Sequence, residues 1–177
     1  MKILNKRKDG YHNLHSLFIE LTLFDELIFT SSSTFKLGTN FINNIQLPLD
    51  NTNLISRAYA LMHQEPRSVL SEYAIYLKKM IPLGSGLGGG SSNAATTLKA
   101  LNELWGLNYS LNKLAYLGAK LGADVPFFIR GGFQLVEGIG EKLTPQDDHV
   151  LRGLYFLLII PPFHISTAEA YKSLNKP

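Results

Sequence analysis

The chain has 177 residues, with 17 Lys and Arg against 14 Asp and Glu for a net charge of +3. So small a surplus, with no basic stripe interleaved with aromatics, argues against a nucleic-acid binder, and 45% hydrophobic residues argue against global disorder. The lack of cysteine excludes disulfide scaffolds, thiol nucleophiles and Cys-ligated zinc.

In chain order, Asn5-Lys6-Arg7-Lys8-Asp9-Gly10 reads as a turn. Residues 14–30, rich in Leu, Phe and Ile and interrupted by Asp25-Glu26, predict two strands with a bend between them. A polar break over Thr30–Thr34 precedes a short strand at Phe35-Lys36-Leu37, and residues 38–53 read as a loop. Asn53 is placed to cap a helix whose Leu54, Ile55, Ala58, Tyr59, Leu61 and Met62 share a face. Tyr73–Lys78 alternates as a strand does. After a glycine-rich stretch, Ala94, Ala95, Leu98, Leu101 and Leu104 predict a helix ended by Gly106. Another helix runs from the cap Ser110 to Leu121. Residues 125–144 read as strands, Val125–Ile129 and then Phe133–Val136, with glycines in the turns. Leu151–Ile160 reads as a strongly apolar strand, and Ser166 or Thr167 as the cap of a last helix. The longest apolar run, residues 154–162, is far short of a membrane span. The cationic start has no apolar core of signal-peptide type behind it, so the cytoplasm is the expected compartment. Strands gather early and helices in the middle without strict alternation, which predicts an α+β fold.

Residues 84–92 carry the most information, because five of these nine are glycine and a helix follows at once. Glycine admits positive φ and lets an anion approach the main chain. The helix start adds unpaired amides with partial positive charge, so a polyphosphate is the natural ligand. Ser91 and Ser92 add hydroxyls able to reach a magnesium ion. A Walker A loop is excluded because Gly89 is followed by Gly90 rather than lysine. Gly84-x-Gly86-x-x-Gly89 formally matches the dinucleotide fingerprint, but the acidic residue that should follow the next strand is missing, since Glu103 lies within the predicted helix. A flexible linker would not run straight into a patterned helix.

Pro82–Asn93 resembles the phosphate loop of the GHMP kinases, a superfamily of small-molecule kinases. Arg7-Lys8-Asp9-Gly10-Tyr11-His12-Asn13-Leu14 and Leu121-Gly122-Ala123-Asp124-Val125-Pro126-Phe127 narrow the resemblance to one of its families, the 4-diphosphocytidyl-2-C-methylerythritol kinases. The resemblance implies a ribosomal protein S5 domain 2-like amino-terminal domain over residues 1–150 and the start of a carboxy-terminal domain over 151–177. It implies transfer of the γ-phosphoryl of ATP, with Mg2+, to the 2-hydroxyl of a cytidine-diphosphate-linked methylerythritol in the non-mevalonate isoprenoid route. No nucleic acid or membrane partner is implied. By this resemblance Pro82, Leu83, Gly84, Ser85, Gly86, Leu87, Gly88, Gly89, Gly90, Ser91 and Ser92 cradle the phosphates, with Lys79 and Asn53 towards the adenine. Tyr11 and His12 bind the cytosine, Tyr171 closes over the ring and Thr167 touches the substrate near its phosphates. Asp124 is the general base.

Two pieces of the family pattern are absent. A first strand carrying Pro-Ala-Lys-x-Asn has no counterpart, Lys2 being too near Asp9-Gly10, and the chain stops at Pro177 just after the expected first strand and helix of a second domain. The resemblance is therefore to an amino-terminal portion of such a kinase, and the chain alone is expected to turn over poorly. A non-catalytic nucleotide-binding fragment and a sister kinase of homoserine or mevalonate type stand as alternatives. Read without the resemblance, Asp124 is as consistent with a turn residue as with a base. Asp147-Asp148 reads as a solvated loop.

Overall fold

The computed structural model describes residues 2–40, 47–64 and 71–160. Asp9-Gly10 closes a hairpin between β1 (Lys2–Lys6) and β2 (His12–Ile19). Gly10 takes φ +86°, the Arg7 amide donates to the Tyr11 carbonyl at 2.7 Å, and the Arg7 guanidinium lies 2.9 Å from the Asp9 carboxylate. β2 pairs antiparallel with β6 (Phe133–Gly138), and β6 with β7 (Lys142–Pro145), for a sheet of order β1-β2-β6-β7. A second sheet joins β3 (Glu26–Ser32) and β4 (Lys36–Thr39) to the two sides of β5 (Glu72–Lys78). β3 is antiparallel to β5, with Leu27 opposite Leu77, and β4 is parallel to it. Thr30–Ser32, expected as a polar break, remain in β3 because their backbones complete the ladder to β5.

The predicted caps hold. Asn53 Oδ1 accepts from the Ile55 amide at 2.9 Å and opens α1 (Leu54–His63), while Ser110 Oγ accepts from the Lys113 amide at 3.3 Å and opens α3 (Leu111–Ala119). Between them lies α2 (Gly89–Leu104), and Gly106 follows it with φ +58°. The apolar stripes of α1 and α2 meet the β5 sheet in one core, where Ile55, Met62, Ile75, Leu77, Leu98 and Leu101 are almost wholly buried. Tyr59 ties α1 to β5. Its hydroxyl donates to Glu72 at 2.8 Å and accepts from the Tyr73 amide at 3.0 Å, and its burial pushes the phenol's pKa up.

Two further expectations fail. Val125–Ile129 is not a strand but most of α4 (Val125–Arg130). Five apolar residues carry no period that separates a buried strand from a buried helix, and Pro126 sits in the first turn, where a missing amide costs nothing. α4 packs so closely on α3 that a Cβ on Gly118 would lie 2.8 Å from Val125 Cγ1. Residues 151–160 do not form a strand either. A 3₁₀ turn (Asp148–Leu151) leads into an irregular segment in which Tyr155 is 97% exposed and Leu157 87%. An apolar run becomes a strand only with a ladder partner, and among the described residues it has none. The predicted last helix falls at residues 161–177, outside the described residues.

Leu98→Ala, at the centre of α2's buried face, is expected to cost about 2–5 kcal/mol in urea unfolding. Ser110→Ala is expected to cost about 1 kcal/mol, through loss of the cap alone.

Candidate active site

The backbone changes hand at every step from residue 84 to 88. Gly84, Gly86 and Gly88 have φ of +66°, +75° and +69°, whereas Ser85 and Leu87 have negative φ, since Asn108 is the one non-glycine with positive φ among the described residues. Such alternation turns successive amides towards one side and forms an anion-binding concavity. Gly88 is also the N-cap of α2, so the cap residue itself brings no side chain to the helix start. Its free amides and the dipole of a 16-residue helix add to the positive potential. Gly89, Gly90, Ser91 and Ser92, expected in the loop, form the first turn of α2 itself.

Two hollows flank this stretch. One, of about 340 Å³, is lined by Gly86, Leu87, Gly88 and Ser92 together with Asp124, Phe127, Phe128 and the β2–β3 connection. The other, of about 360 Å³, is lined by Pro82–Ser91 with Asn53, Leu54 and Lys79. The glycine-rich stretch is the wall between them. Phe128 of α4 supports it from below, for a Cβ on Gly88 would fall 2.7 Å from the ring.

Asp124 occupies the N-cap position of α4, but its side chain makes no cap hydrogen bond. Solvent reaches the residue from the hollow, while the protein on its other sides desolvates the carboxyl and raises its pKa above the usual 3.8. The turn between β6 and β7 lies against its neighbour, with the Cβ position of Gly140 3.4 Å from the Ala123 carbonyl oxygen. Through the Leu14–Gly138 pairing, that turn meets the start of β2. There Tyr11 is largely exposed and His12 buried, and neither lines the two hollows. Asn53 is occupied as a cap and donates from Nδ2 to the Pro48 carbonyl at 2.6 Å. Thr167 and Tyr171 lie outside the described residues. Asp147 accepts from the His149 amide at 2.9 Å and caps an exposed turn, as a solvated loop would.

Asp25 is a further residue of the site that no sequence motif marks. Its carboxylate, 1% exposed, accepts from the Lys79 ammonium, from the Met80 and Ile81 amides at 2.7 and 2.8 Å, and from Asn93 Nδ2 at 3.0 Å. Burial alone would drive this carboxyl up. The Lys79 hydrogen bond, the two amides and the lysine's charge outweigh it and hold the pKa below the usual range. The only signal in the sequence was an acid set in an apolar run. Lys79, expected beside adenine, lines the second hollow but spends its ammonium on Asp25, at 3% side-chain exposure.

Gly88→Ala is expected to destabilise by about 1–2 kcal/mol from left-handed backbone strain alone, with the Phe128 overlap adding to it; denaturant unfolding measures the sum. Asp124→Asn is expected to stabilise the fold at neutral pH. A carboxyl whose folded pKa is raised contributes stability below its unfolded value, and that contribution is lost as pH rises through the folded pKa. Melting temperatures of the two proteins should therefore agree in acid and diverge towards neutrality.

A family model described as GHMP kinases N terminal domain matches residues 53–132. The chain is 44% identical over 179 residues to the 4-diphosphocytidyl-2-C-methyl-D-erythritol kinase of Shewanella piezotolerans, a match covering 100% of this chain and 61% of that one. The crystal structure of a 4-(cytidine 5'-diphospho)-2C-methyl-D-erythritol kinase superposes with a TM-score of 0.66 at 40% identity, covering 81% of this chain and 50% of the other. For the homoserine kinase of Cytophaga hutchinsonii the TM-score is 0.51 at 27% identity, over 63% and 39%. The chain spans about three fifths of the length of the curated relatives it matches, and among the described residues no helix is long and apolar enough to cross a membrane. By its α+β fold, its matched domain and these relatives, the chain is similar to the amino-terminal part of kinases of the GHMP superfamily.

Proposed function

We propose that the protein is an ATP-dependent kinase that phosphorylates the 2-hydroxyl of 4-diphosphocytidyl-2-C-methyl-D-erythritol in the non-mevalonate isoprenoid pathway, in the cytoplasm. The observation that carries the reading is one hollow lined both by the amide-rich stretch at Gly86–Gly88 and by the partly desolvated carboxyl of Asp124. Phosphoryl transfer asks little of the protein beyond positioning and charge stabilisation. The β- and γ-phosphates of ATP rest on the amides of residues 84–92, and the adenosine lies on the Asn53 and Lys79 side. The acceptor hydroxyl approaches from Asp124. As its oxygen bonds to the γ-phosphorus, the bond to the β–γ bridging oxygen breaks, ADP leaves and the hydroxyl proton passes to Asp124. Desolvation makes this carboxylate a stronger base, and the absence of a cap hydrogen bond leaves its oxygens available. The Ser91 and Ser92 hydroxyls suit Mg2+, a hard ion that prefers oxygen ligands and, when bound, neutralises phosphate charge.

Tyr11 and His12, with Thr167 and Tyr171, hold the cytidine diphosphate portion. Higher identity to the methylerythritol kinase structure than to the homoserine kinase supports that acceptor over a sister kinase's. A domain boundary near residue 150 is supported by the exposed course of residues 152–160.

Calorimetric titration tests the reading. The chain should bind ATP more tightly than AMP, and a cytidine nucleotide at a site of its own; equal affinity for ATP and AMP would sink it. Asp124→Asn should bind ATP at least as tightly as wild type, having lost a negative charge near the triphosphate. In this variant the turnover of the chain, expected to be low already, should fall by about a further 10²–10⁴-fold in a coupled assay, the usual worth of a positioned base.

A further inference from the structure

We propose that Asp25 is a positioning residue for the phosphate loop, a single carboxylate that staples both ends of the loop to the β2–β3 connection. Three of its partners immediately precede residues 82–92 and the fourth immediately follows them. On the entry side, Oδ1 takes the Met80 and Ile81 amides and Oδ2 the Lys79 ammonium; on the exit side, Oδ2 takes Asn93 from the second turn of α2. A buried ion pair in need of a counter-charge would require one of these contacts. Four, drawn from both flanks of one loop, fix the distance between its ends.

The electrostatics point the same way. The Cβ position of Gly89 is 2.9 Å from Lys79 Nζ, so an ammonium abuts the first turn of α2, the positive end of the helix. A cation there is repelled unless countered, and Asp25 provides the counter-charge with 1% side-chain exposure. Five of the eleven residues between the staple points are glycine, so the segment has much backbone freedom to lose. Holding its ends removes part of that freedom before any ligand arrives, which is how an amide concavity comes to be aimed in advance.

Asn at position 25 is the informative change. Its amide has one acceptor oxygen, and its NH₂ would face donors from Lys79 or Asn93, so it cannot serve both ends. Asn93→Ala is the milder partner, severing the exit alone. Hydrogen exchange by mass spectrometry on the 177-residue chain, with and without ATP, reads both variants. Asp25→Asn should speed exchange across residues 80–93 by about tenfold or more, equivalent to about 1.4 kcal/mol of opening free energy, while β2 and β6 keep wild-type protection. Asn93→Ala should do so only over the first turns of α2. The ATP dissociation constant should rise by about tenfold for Asp25→Asn and less for Asn93→Ala. Only this last part rests on the proposed ATP site. A wild-type chain that binds no ATP would sink that site and leave the exchange result to decide the staple. Wild-type exchange over 80–93 in Asp25→Asn, or a uniform rise along the whole chain, would overturn the proposal, because a general core stabiliser acts everywhere. If Asp25→Asn fails to fold, unchanged exchange and ATP affinity in Asn93→Ala would overturn it.

Discussion

Two opposite charges withdrawn from water under the start of α2 set the terms for everything built above them. Removing a carboxylate or an ammonium from water costs several kcal/mol per ion even after relaxation. The arrangement is tolerable only because Asp25 and Lys79 face each other and every remaining acceptor site on the carboxylate is used. Two of those donors are main-chain amides, so the requirement reaches the backbone. The chain leaving β5 has to turn at Met80 and Ile81, and it must return at Asn93. The path between is left to residues that can bend either way, and Gly84, Gly86 and Gly88 do.

From that path follows the close packing around the site. A loop with no side chains at its turning points can be approached from both faces, and it becomes the wall between two hollows. Phe128 lies where a Cβ on Gly88 would be, so α4 underpins the loop. α4 in turn reaches that place because Gly118 lets Val125 sit against α3. The short helix that buttresses the loop is thus the one that carries Asp124 at its start.

Sequence reading recovered what local chemistry decides. Asn53, Ser110 and Gly106 announce helix ends through their own hydrogen-bonding or φ preferences, and the structure uses all three so. The glycine-rich stretch was legible for the same reason. Reading failed where the outcome depends on what lies across the fold. Val125–Ile129 is apolar throughout, and its neighbours α2 and α3 rather than its own pattern make it a helix. Residues 151–160 have a strand's composition without a ladder partner among the described residues. Asp25 was invisible as a site because its partners are 54 to 68 positions away. Nothing in Leu-Phe-Asp-Glu-Leu tells a loop acid from a buried hub.

The two aspartates beside the loop illustrate how one fold gives the same side chain opposite tasks. Both lose water. Asp25 regains in donors more than it loses in solvation, so its carboxyl sits below the usual range and stays charged and held in place. Asp124 receives no such compensation; desolvation alone acts on it, and its carboxyl rises. A carboxylate saturated with hydrogen bonds is a poor proton acceptor, because accepting a proton means giving up a partner. One that is desolvated and unbonded, in a hollow that solvent and a ligand can enter, gives up nothing. The same donors that make Asp25 suited to hold the loop disqualify it as a base, and the absence of donors that makes Asp124 costly to the fold is what fits it to take a proton.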